Sequence, residues 1–195
     1  MKKILLSLIL ILLLTVTLIG DCITYTSQYP TQDDDHVKAT TKYSTSFWAY
    51  FATNPALSLT GSYFDNSWLS VLDTVTNQRF HIDLGEAKVI RRIYYENCHS
   101  SGVAYDAGAQ NFTFWGSNEA SDFADITYAN DGDWVDLTLL LFQTTFDRHS
   151  VADEADPKFI VITNSTAYRY YAFKFADNYG NTLVMGVRRI ELQTE

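Results

Sequence analysis

The sequence is poor in the residues on which enzymes and metalloproteins most often depend. Its 195 residues include two cysteines, three prolines and four histidines. It contains no phosphate-binding loop, nucleophile elbow or dinucleotide fingerprint, and the histidines have no metal-ligand spacing such as His-Glu-x-x-His. Acidic residues are numerous, but nothing in the sequence marks two of them as a catalytic pair. These absences favour a non-catalytic protein over an enzyme.

The two cysteines, Cys22 and Cys98, leave two interpretations open. They can form a disulfide only if the protein is exported and Cys22 is retained without a lipid. Alternatively, Cys98 is a small buried residue or a lone thiol. In the first interpretation a covalent bond links the N-terminal region to the middle of the chain. In the second there is no such link.

Positive charge is also scarce. The chain has 14 Lys and Arg against 23 Asp and Glu, which gives a formal net charge of −9. Nucleic acids and anionic membrane surfaces both favour clustered basic residues, so neither is an expected partner. Aromatic residues make up 15% of the chain, including 13 Tyr. This composition is typical of a β-rich domain with aromatic loops.

The longest hydrophobic run lies at the N-terminus. Met1-Lys2-Lys3 is positively charged, and residues 4–19 are almost wholly apolar. The pattern predicts that residues 1–21 are a signal peptide or membrane anchor, and that the protein is secreted or held at the cell surface. Membrane contact is expected only through this segment. Residues 22–42 are predicted to be a polar linker, and residues 43–195 one domain.

Period-2 alternation predicts strands in the folded domain. Phe80, Ile82 and Leu84 alternate with polar residues, among them His81, which is predicted to lie on the surface. Gly85 is predicted to end this strand, and a second strand is predicted to begin at Val89. Matched alternation elsewhere predicts one sandwich core that contains Ile82, Leu84, Val89, Ile93, Phe112, Phe114, Ile190 and Leu192.

Four blocks of sequence, in order, carry a family resemblance. They are Asp83-Leu84-Gly85 followed by Val89-Ile90-x-x-Ile93, the Gly116-Ser117-Asn118 turn after Phe112 and Phe114, Tyr168 to Phe175, and Val187 to Gln193. Together they resemble the discoidin-like domains, also called coagulation factor 5/8 C-type or galactose-binding-like domains. The resemblance implies an all-β fold, a β-sandwich jelly roll that binds ligands with the loops at one end.

The resemblance also implies a structural Ca²⁺ ion as a cofactor. Many members of the family hold this ion with loop carbonyls, the Asp before the first Trp, and the Glu of the last strand. The matching positions here are Asp65 and Glu191, and oxygen ligands of this kind suit Ca²⁺. The alternative is that Asp65 is a turn residue and Glu191 a surface acid.

The resemblance implies that the variable loops lie at the end of the sandwich beside Asp65. Ligand binding is expected there, because loops held on a rigid scaffold are common binding sites. Trp48, Tyr50, Tyr63 and Phe64 are candidates to stack on a sugar ring, with Asn66 and His99 as polar partners. The expected partner is a glycan or glycoprotein on a surface.

Three alternatives stay open. In the first, the aromatic residues simply fill the sandwich. In the second, the protein is a structural or adhesive surface protein that binds other proteins, and in the third it is an accessory domain of an enzyme.

Overall fold

The computed structural model describes residues 22–195, which form two antiparallel β-sheets packed face to face. The strands are β1 (Thr26–Gln28), β2 (Val37–Ala39), β3 (Trp68–Leu69), β4 (Gln78–Lys88), β5 (Arg92–Asn97), β6 (Phe112–Ser117), β7 (Val135–Asp136), β8 (Lys158–Val161), β9 (Tyr168–Phe175) and β10 (Gly186–Thr194). The helical elements are one short α-helix, α1 (Ala120–Ala124), and 3₁₀ turns at Ala49–Thr53, Tyr105–Ala107 and Thr138–Leu140. Among residues 22–195, no helix is long and apolar enough to cross a bilayer.

The C-terminal strand organises the first sheet, which has the order β1-β10-β5-β8. The short strand β3 pairs with the beginning of β10, whereas β1 pairs with its end. The second sheet has the order β2-β4-β9-β6-β7. Its long central strands β4 and β9 pair from Gln78 opposite Phe175 to Lys88 opposite Tyr168.

The core lies between the sheets and is strongly aromatic. Trp68 of the first sheet packs against Phe80 and Phe175 of the second, with ring centroids 5.4 and 6.0 Å away. Aromatic rings bury a large apolar area each and therefore dominate the stability of such a core. The predicted all-β sandwich is confirmed.

The predicted core set is largely confirmed. Six of its members are fully buried: Ile82, Ile93, Phe112, Phe114, Ile190 and Leu192. Leu84 packs against this core but is only partly buried. Val89 is also only partly buried, and its neighbour Ile90 fills the core instead. The prediction for Val89 is therefore wrong by one residue.

The reason for this error is that Gly85 does not end the strand. β4 continues to Lys88, and its pairing with β9 shifts register between Asp83 and Lys88. Gly85 has φ of 77°, a conformation that costs glycine little, and its amide N–H donates to the Asp83 carboxylate at 2.7 Å. Five residue steps of β4, from Asp83 to Lys88, thus stand opposite two steps of β9, from Tyr170 to Tyr168, and β5 begins only at Arg92. An odd number of extra residues reverses the alternation of inward and outward side chains that follows.

The polar face of β4 is covered rather than solvent-exposed, which corrects the surface assignment of His81. His81 and Arg79 are fully buried beneath α1 and the loop that follows it. Phe123 and Trp134 from this segment pack on the outer face of the second sheet, beside Tyr170. The sheet is therefore buried on both faces at this point, and alternation alone does not reveal the second cover.

The segment predicted to be a linker, 22–42, contributes two strands. β1 pairs with β10, and β2 pairs with β4 over Val37–Ala39. Val37 is 1% exposed and belongs to the main core, so this segment is part of the sandwich. The predicted signal or anchor segment, 1–21, lies outside the described residues.

Candidate functional site

Several loops at one end of the sandwich form an aromatic groove. The cavity measures about 170 Å³ and is lined by Tyr43, Phe47, Tyr63, Phe64, Leu69, Leu72, Ala104, Ala107, Asn181, Leu183 and Val184. These residues come from the segment that runs through β3, between Tyr43 and Leu72, and from the loops after β5 and before β10. The two loops are remote from that segment in sequence, so the groove exists only in the folded protein.

Phe47 is the centre of this groove. Its ring is 1% exposed and lies 5.6 Å from Tyr43, 5.5 Å from Tyr63 and 5.0 Å from Phe64, measured between centroids. The surrounding rings are tilted or edge-on to it, which is the favourable geometry for aromatic pairs. A buried hub fixes the angle at which the outer rings meet solvent, where Tyr43 and Phe64 are 45% and 54% exposed.

The polar groups of the groove are few. The lining residues with polar side chains are Tyr43, Tyr63 and Asn181. Burial raises the pKa of Tyr63, so its hydroxyl stays protonated at neutral pH and is able to donate. The Asn181 side-chain oxygen accepts the amide N–H groups of Leu183 and Val184 at 2.9 and 3.0 Å, which fixes the orientation of its amide.

Trp48 and Tyr50 do not line this groove. Trp48 lines a separate cavity of about 320 Å³ beside β2, and the ammonium of Lys42 lies 3.4 Å from its ring centroid. The ring of Tyr50 stacks on Trp48 with a centroid distance of 5.8 Å and packs against the main core. The four predicted stacking residues are thus divided: Tyr63 and Phe64 lie in the aromatic groove, and Trp48 and Tyr50 lie elsewhere.

The predicted polar partners Asn66 and His99 hold loops in place. The Asn66 amide donates to the carbonyls of Ser62 and Phe64 and accepts the Ser58 amide. His99 is fully buried; its Nε2 lies 2.9 Å from the Leu59 carbonyl, and its Nδ1 accepts the Gly102 amide N–H. Both side chains make their hydrogen bonds within the protein, and neither lines the aromatic groove.

The residues present do not fit a calcium site built on Asp65 and Glu191. One Glu191 oxygen accepts the Ser27 hydroxyl at 2.6 Å, and the other lies 3.4 Å from the Arg189 guanidinium. Asp65 is exposed at the surface of its turn with φ of 58°. Within residues 22–195, no group of three or more His, Cys, Asp or Glu side chains is arranged to hold a metal ion.

The two cysteines are both free thiols in the structure, Cys22 exposed and Cys98 buried. Cys98 packs beneath the aromatic groove with Phe47 and Leu69. Burial raises the pKa of its thiol to about 12, so it stays protonated and unreactive. The structure agrees with the interpretation of Cys98 as a small buried residue.

Sequence reasoning missed several residues of the groove. Tyr43 stands four residues before Phe47, a spacing that brings two side chains together across one turn, but nothing marks that turn locally. Leu183 and Asn181 belong to a loop more than a hundred residues away, and no local pattern links them to Phe64. Only the tertiary fold joins these segments.

Comparison with known proteins places the fold. No family model and no curated protein matches the chain. A family 32 carbohydrate-binding module of C. perfringens NanJ, solved with galactose, aligns with a TM-score of 0.54 and 10% identity over 88% of this chain and 100% of its own. A chitosan-binding module of a chitosanase/glucanase from Paenibacillus sp. IK-5 has a TM-score of 0.52 and 15% identity, covering 87% and 99%. The lectin domain of Lectinolysin, solved with Lewis B antigen, has 0.51 and 13%, covering 86% and 95%.

The chain therefore has the galactose-binding-like jelly-roll fold of discoidin-like and family 32 carbohydrate-binding modules, as the sequence resemblance implied. The modules that it matches are binding domains, and some stand in larger enzymes, as in AlyQ, where such a module accompanies an alginate lyase domain. At these identities the likeness establishes the fold alone, because one fold hosts many functions.

Proposed function

We propose that the domain is a non-catalytic carbohydrate-binding module and that the aromatic groove is its binding site. The observation that carries the proposal is the cluster of partly exposed rings, Tyr43, Tyr63 and Phe64, set around the buried ring of Phe47 at a loop end. Loops on a rigid β-sandwich are a common place for a binding site. The three solved domains named above bind galactose, chitosan and Lewis B antigen on the same fold.

The chemistry of the groove suits a sugar ring. The apolar C–H face of a pyranose packs against an aromatic plane, and the Tyr43 and Tyr63 hydroxyls and the Asn181 amide supply directional hydrogen bonds. The groove is smaller than the roughly 300–1,000 Å³ of a typical small-molecule pocket. It therefore suits one terminal sugar better than a long chain. A single contact of this size is weak, so display of several copies on one surface strengthens binding.

The test is a glycan array probed with the protein, followed by titration of the best glycan against variants. Phe64→Ala removes an exposed ring of the groove, and Phe142→Ala is the matched control, because Phe142 is 76% exposed and lies outside the groove. We expect Phe64→Ala to weaken binding about two- to tenfold, since one aromatic contact contributes about 0.5–1.5 kcal/mol. Phe142→Ala is expected to bind like the wild type.

Tyr63→Phe separates stacking from hydrogen bonding, because it removes only a hydroxyl group. We expect it to bind less tightly than the wild type to the preferred glycan and to discriminate less between epimers. Equal affinity in the wild type, Phe64→Ala and Tyr63→Phe, with all three folded, would remove the groove from the proposal.

A second candidate function is contact with another protein. Val71, Leu72 and Leu183 are exposed apolar residues at or near the rim of the groove, and exposed apolar clusters often mark protein interfaces. This candidate predicts an array without hits. It also predicts that Leu183→Ser abolishes adhesion of protein-coated beads to the partner surface while leaving the fold intact.

We also propose that the protein is exported, on the basis of the charged and apolar N-terminal segment. Mass spectrometry of the N-terminus of the protein recovered from its native host tests this. A mature chain that still begins at Met1 and fractionates with soluble internal proteins would contradict export.

A further inference from the structure

Arg188 of β10 is a fully buried cation surrounded by backbone carbonyl groups. Its guanidinium donates to the carbonyls of Ser58, Thr60, Gly61, Ser62 and His99. The Nη1 contacts with Gly61 and His99 measure 3.1 and 2.9 Å. Five carbonyl oxygens from two loops thus converge on one charged group. We call this arrangement the carbonyl cradle.

A bulge in β10 makes this arrangement possible. The pairing of β10 with β5 shifts register between Val187 and Arg189, which leaves Arg188 as the extra residue. In a regular strand, neighbouring side chains point to opposite faces, but a bulge brings two together. Arg189 accordingly also reaches the same loop, and its Nη2 donates to the Leu57 carbonyl at 2.8 Å.

The acceptors of Arg188 are neutral carbonyl groups. Carbonyl dipoles that point inward at one place create a region of negative potential, and this region needs a cation. Burial lowers the pKa of Arg188, but a guanidinium stays protonated at any physiological pH. The charge is therefore permanent, and it is held by five oriented dipoles with the fork-shaped donor geometry that suits arginine.

The position of the carbonyl cradle matters for the calcium expectation. The loop that precedes Trp68 and the last strand are the two elements that the family resemblance assigns to a Ca²⁺ ion. Here the carbonyls of that loop face the last strand, the arrangement that would coordinate a hard cation. The cation that they contact is, however, the guanidinium of Arg188. Glu191, two residues beyond Arg189, has hydrogen-bond partners for its carboxylate already.

We propose that Arg188 replaces a structural calcium ion in this domain. The guanidinium supplies the positive charge that the inward-facing carbonyls need, so the loop of residues 57–62 keeps its shape without metal. If the aromatic groove is the binding site, as proposed above, binding is also independent of calcium, because Tyr63 and Phe64 follow directly on this loop. The inference about metal does not depend on that function.

The first test uses the wild-type protein. Its melting temperature is compared in excess Ca²⁺ and in excess EDTA, after exhaustive chelation, and Tb³⁺ luminescence sensitised by nearby aromatic rings reports lanthanide binding. We expect equal melting temperatures and no saturable Tb³⁺ signal. A structural site would instead raise the melting temperature by about 5–10 °C at about a hundredfold excess over its Kd. Such a rise would overturn the proposal.

The second test asks whether the carbonyls are a cation site. Arg188→Glu removes the built-in cation and adds a carboxylate beside the same carbonyls. We expect this variant to become dependent on Ca²⁺, with a melting temperature several degrees higher in Ca²⁺ than in EDTA. Arg148→Glu makes the same charge change at an exposed arginine outside the carbonyl cradle and is expected to gain nothing from Ca²⁺.

A folded Arg188→Glu protein with no response to Ca²⁺ would contradict the cradle as a cation site. If this variant does not fold in either condition, the wild-type comparison decides the proposal. Neither test measures glycan binding, so the failure of the proposed function and the failure of this inference give different results.

Discussion

His81 shows how a polar side chain on β4 becomes part of the interior. It is fully buried, its Nδ1 lies 3.1 Å from the Phe123 carbonyl, and Trp134 lies 5.0 Å from its ring. Burial lowers the pKa of His81 to about 4, because a charged imidazole loses its hydration there. The nearby charges of Arg79 and Lys38 act in the same direction. His81 is therefore neutral in the folded protein at any pH above about 4.

This lowered pKa predicts acid sensitivity. Between pH 6.5 and about 4, the unfolded chain binds a proton at His81 and the folded protein does not, so the free energy of unfolding falls as the pH falls. The expected loss from His81 is about 3 kcal/mol across this window. Urea unfolding at several pH values measures it, and His81→Gln should flatten the slope. An unchanged slope in a folded His81→Gln protein would show that His81 does not titrate this way.

His99 contributes to the same loss of stability at acidic pH. Its ring stacks on that of His149 with centroids 3.9 Å apart, and both rings are buried. Burial lowers the pKa of His99, and the charge of Arg188 adds to this, while Asp153 opposes it. The sign is the same as for His81: stability is lost as the pH falls below the ordinary histidine value. The acid sensitivity of the loops is therefore expected to exceed that of His81 alone.

At the scale of elements, the segment from α1 to β7 covers the outer face of the second sheet. Phe123 stacks on Tyr170 at 5.0 Å, and the Trp134 Nε1–H donates to the Asp122 carbonyl at 3.2 Å. Asp131 at the turn of this segment pairs with both Arg79 and Lys174 of the sheet beneath. The cover is thus joined to the sheet by apolar contact and by charge.

Trp134→Ala tests this cover. Removal of a large buried ring is expected to cost about 3–5 kcal/mol of unfolding free energy, and water that enters the space should raise the pKa of His81 from about 4 toward its ordinary value. Chemical unfolding and NMR titration of the His81 ring measure the two effects. Val135→Ala, at an exposed neighbour, is the control, expected within about 0.5 kcal/mol of wild type. A Trp134→Ala protein with an unchanged His81 pKa would contradict the shielding role.

Strand β4 gives a second prediction at this scale. Ile82 is fully buried between the sheets, whereas Leu84, on the same face two residues later, is only partly buried beside the bulge. We expect Ile82→Ala to cost about 2–5 kcal/mol and Leu84→Ala less than about 2 kcal/mol. Urea midpoints of the two variants provide the comparison. Equal losses would mean that the end of β4 is as well packed as its centre.

At the scale of the whole molecule, the first residues of the folded region close both sheets. β1 covers part of the open edge of β10, and β2 covers that of β4, so each sheet gains an edge strand from the segment 22–42. Val37 of β2 also fills the main core. Uncovered sheet edges present unpaired backbone groups to other chains, and proteins avoid them.

Removal of residues 22–42 is therefore expected to destabilise the domain and cause self-association. The loss should exceed about 2 kcal/mol, or a fall of about 4–8 °C in melting temperature, from the loss of Val37 and of two strand pairings. Calorimetry and sedimentation velocity measure the two effects. Removal of the exposed residues 22–24 alone, which precede β1, is the control and should change neither. If the protein without residues 22–42 is monomeric and has wild-type stability, this segment is a linker and not part of the sandwich.

Much of the fold was predictable because the relevant signals are local. Alternation in Phe80–Leu84, Phe112–Phe114 and Ile190–Leu192 identified strands and most of the inward side chains. The reason is that successive side chains of a strand point to opposite faces of the sheet. The limits arose where a local signal has two structural outcomes. Gly85 accommodates a turn or a bulge equally well, and the structure uses it for a bulge, which moved the buried position from Val89 to Ile90.

The candidate site was less predictable. Tyr63 and Phe64 were found because they stand directly before Asp65, at the loop end where ligand binding was expected. Trp48 and Tyr50 were indistinguishable from them by residue type, but Trp48 lines a separate cavity beside β2 and Tyr50 stacks on its ring. Asn66 and His99 have side chains that can hydrogen-bond to a sugar, yet they form their hydrogen bonds with loop carbonyls of the protein itself.

The sequence by itself determined the fold class of this protein, through alternating strands and aromatic composition, because these patterns depend on neighbours one or two residues apart. The tertiary structure alone decided which polar residues are buried and which loops meet. His81 is covered by a segment some forty residues later, the aromatic groove joins three distant loops, and Arg188 meets carbonyls more than a hundred residues before it. Such contacts depend on how the sheets pack, and no local period in the chain encodes that packing.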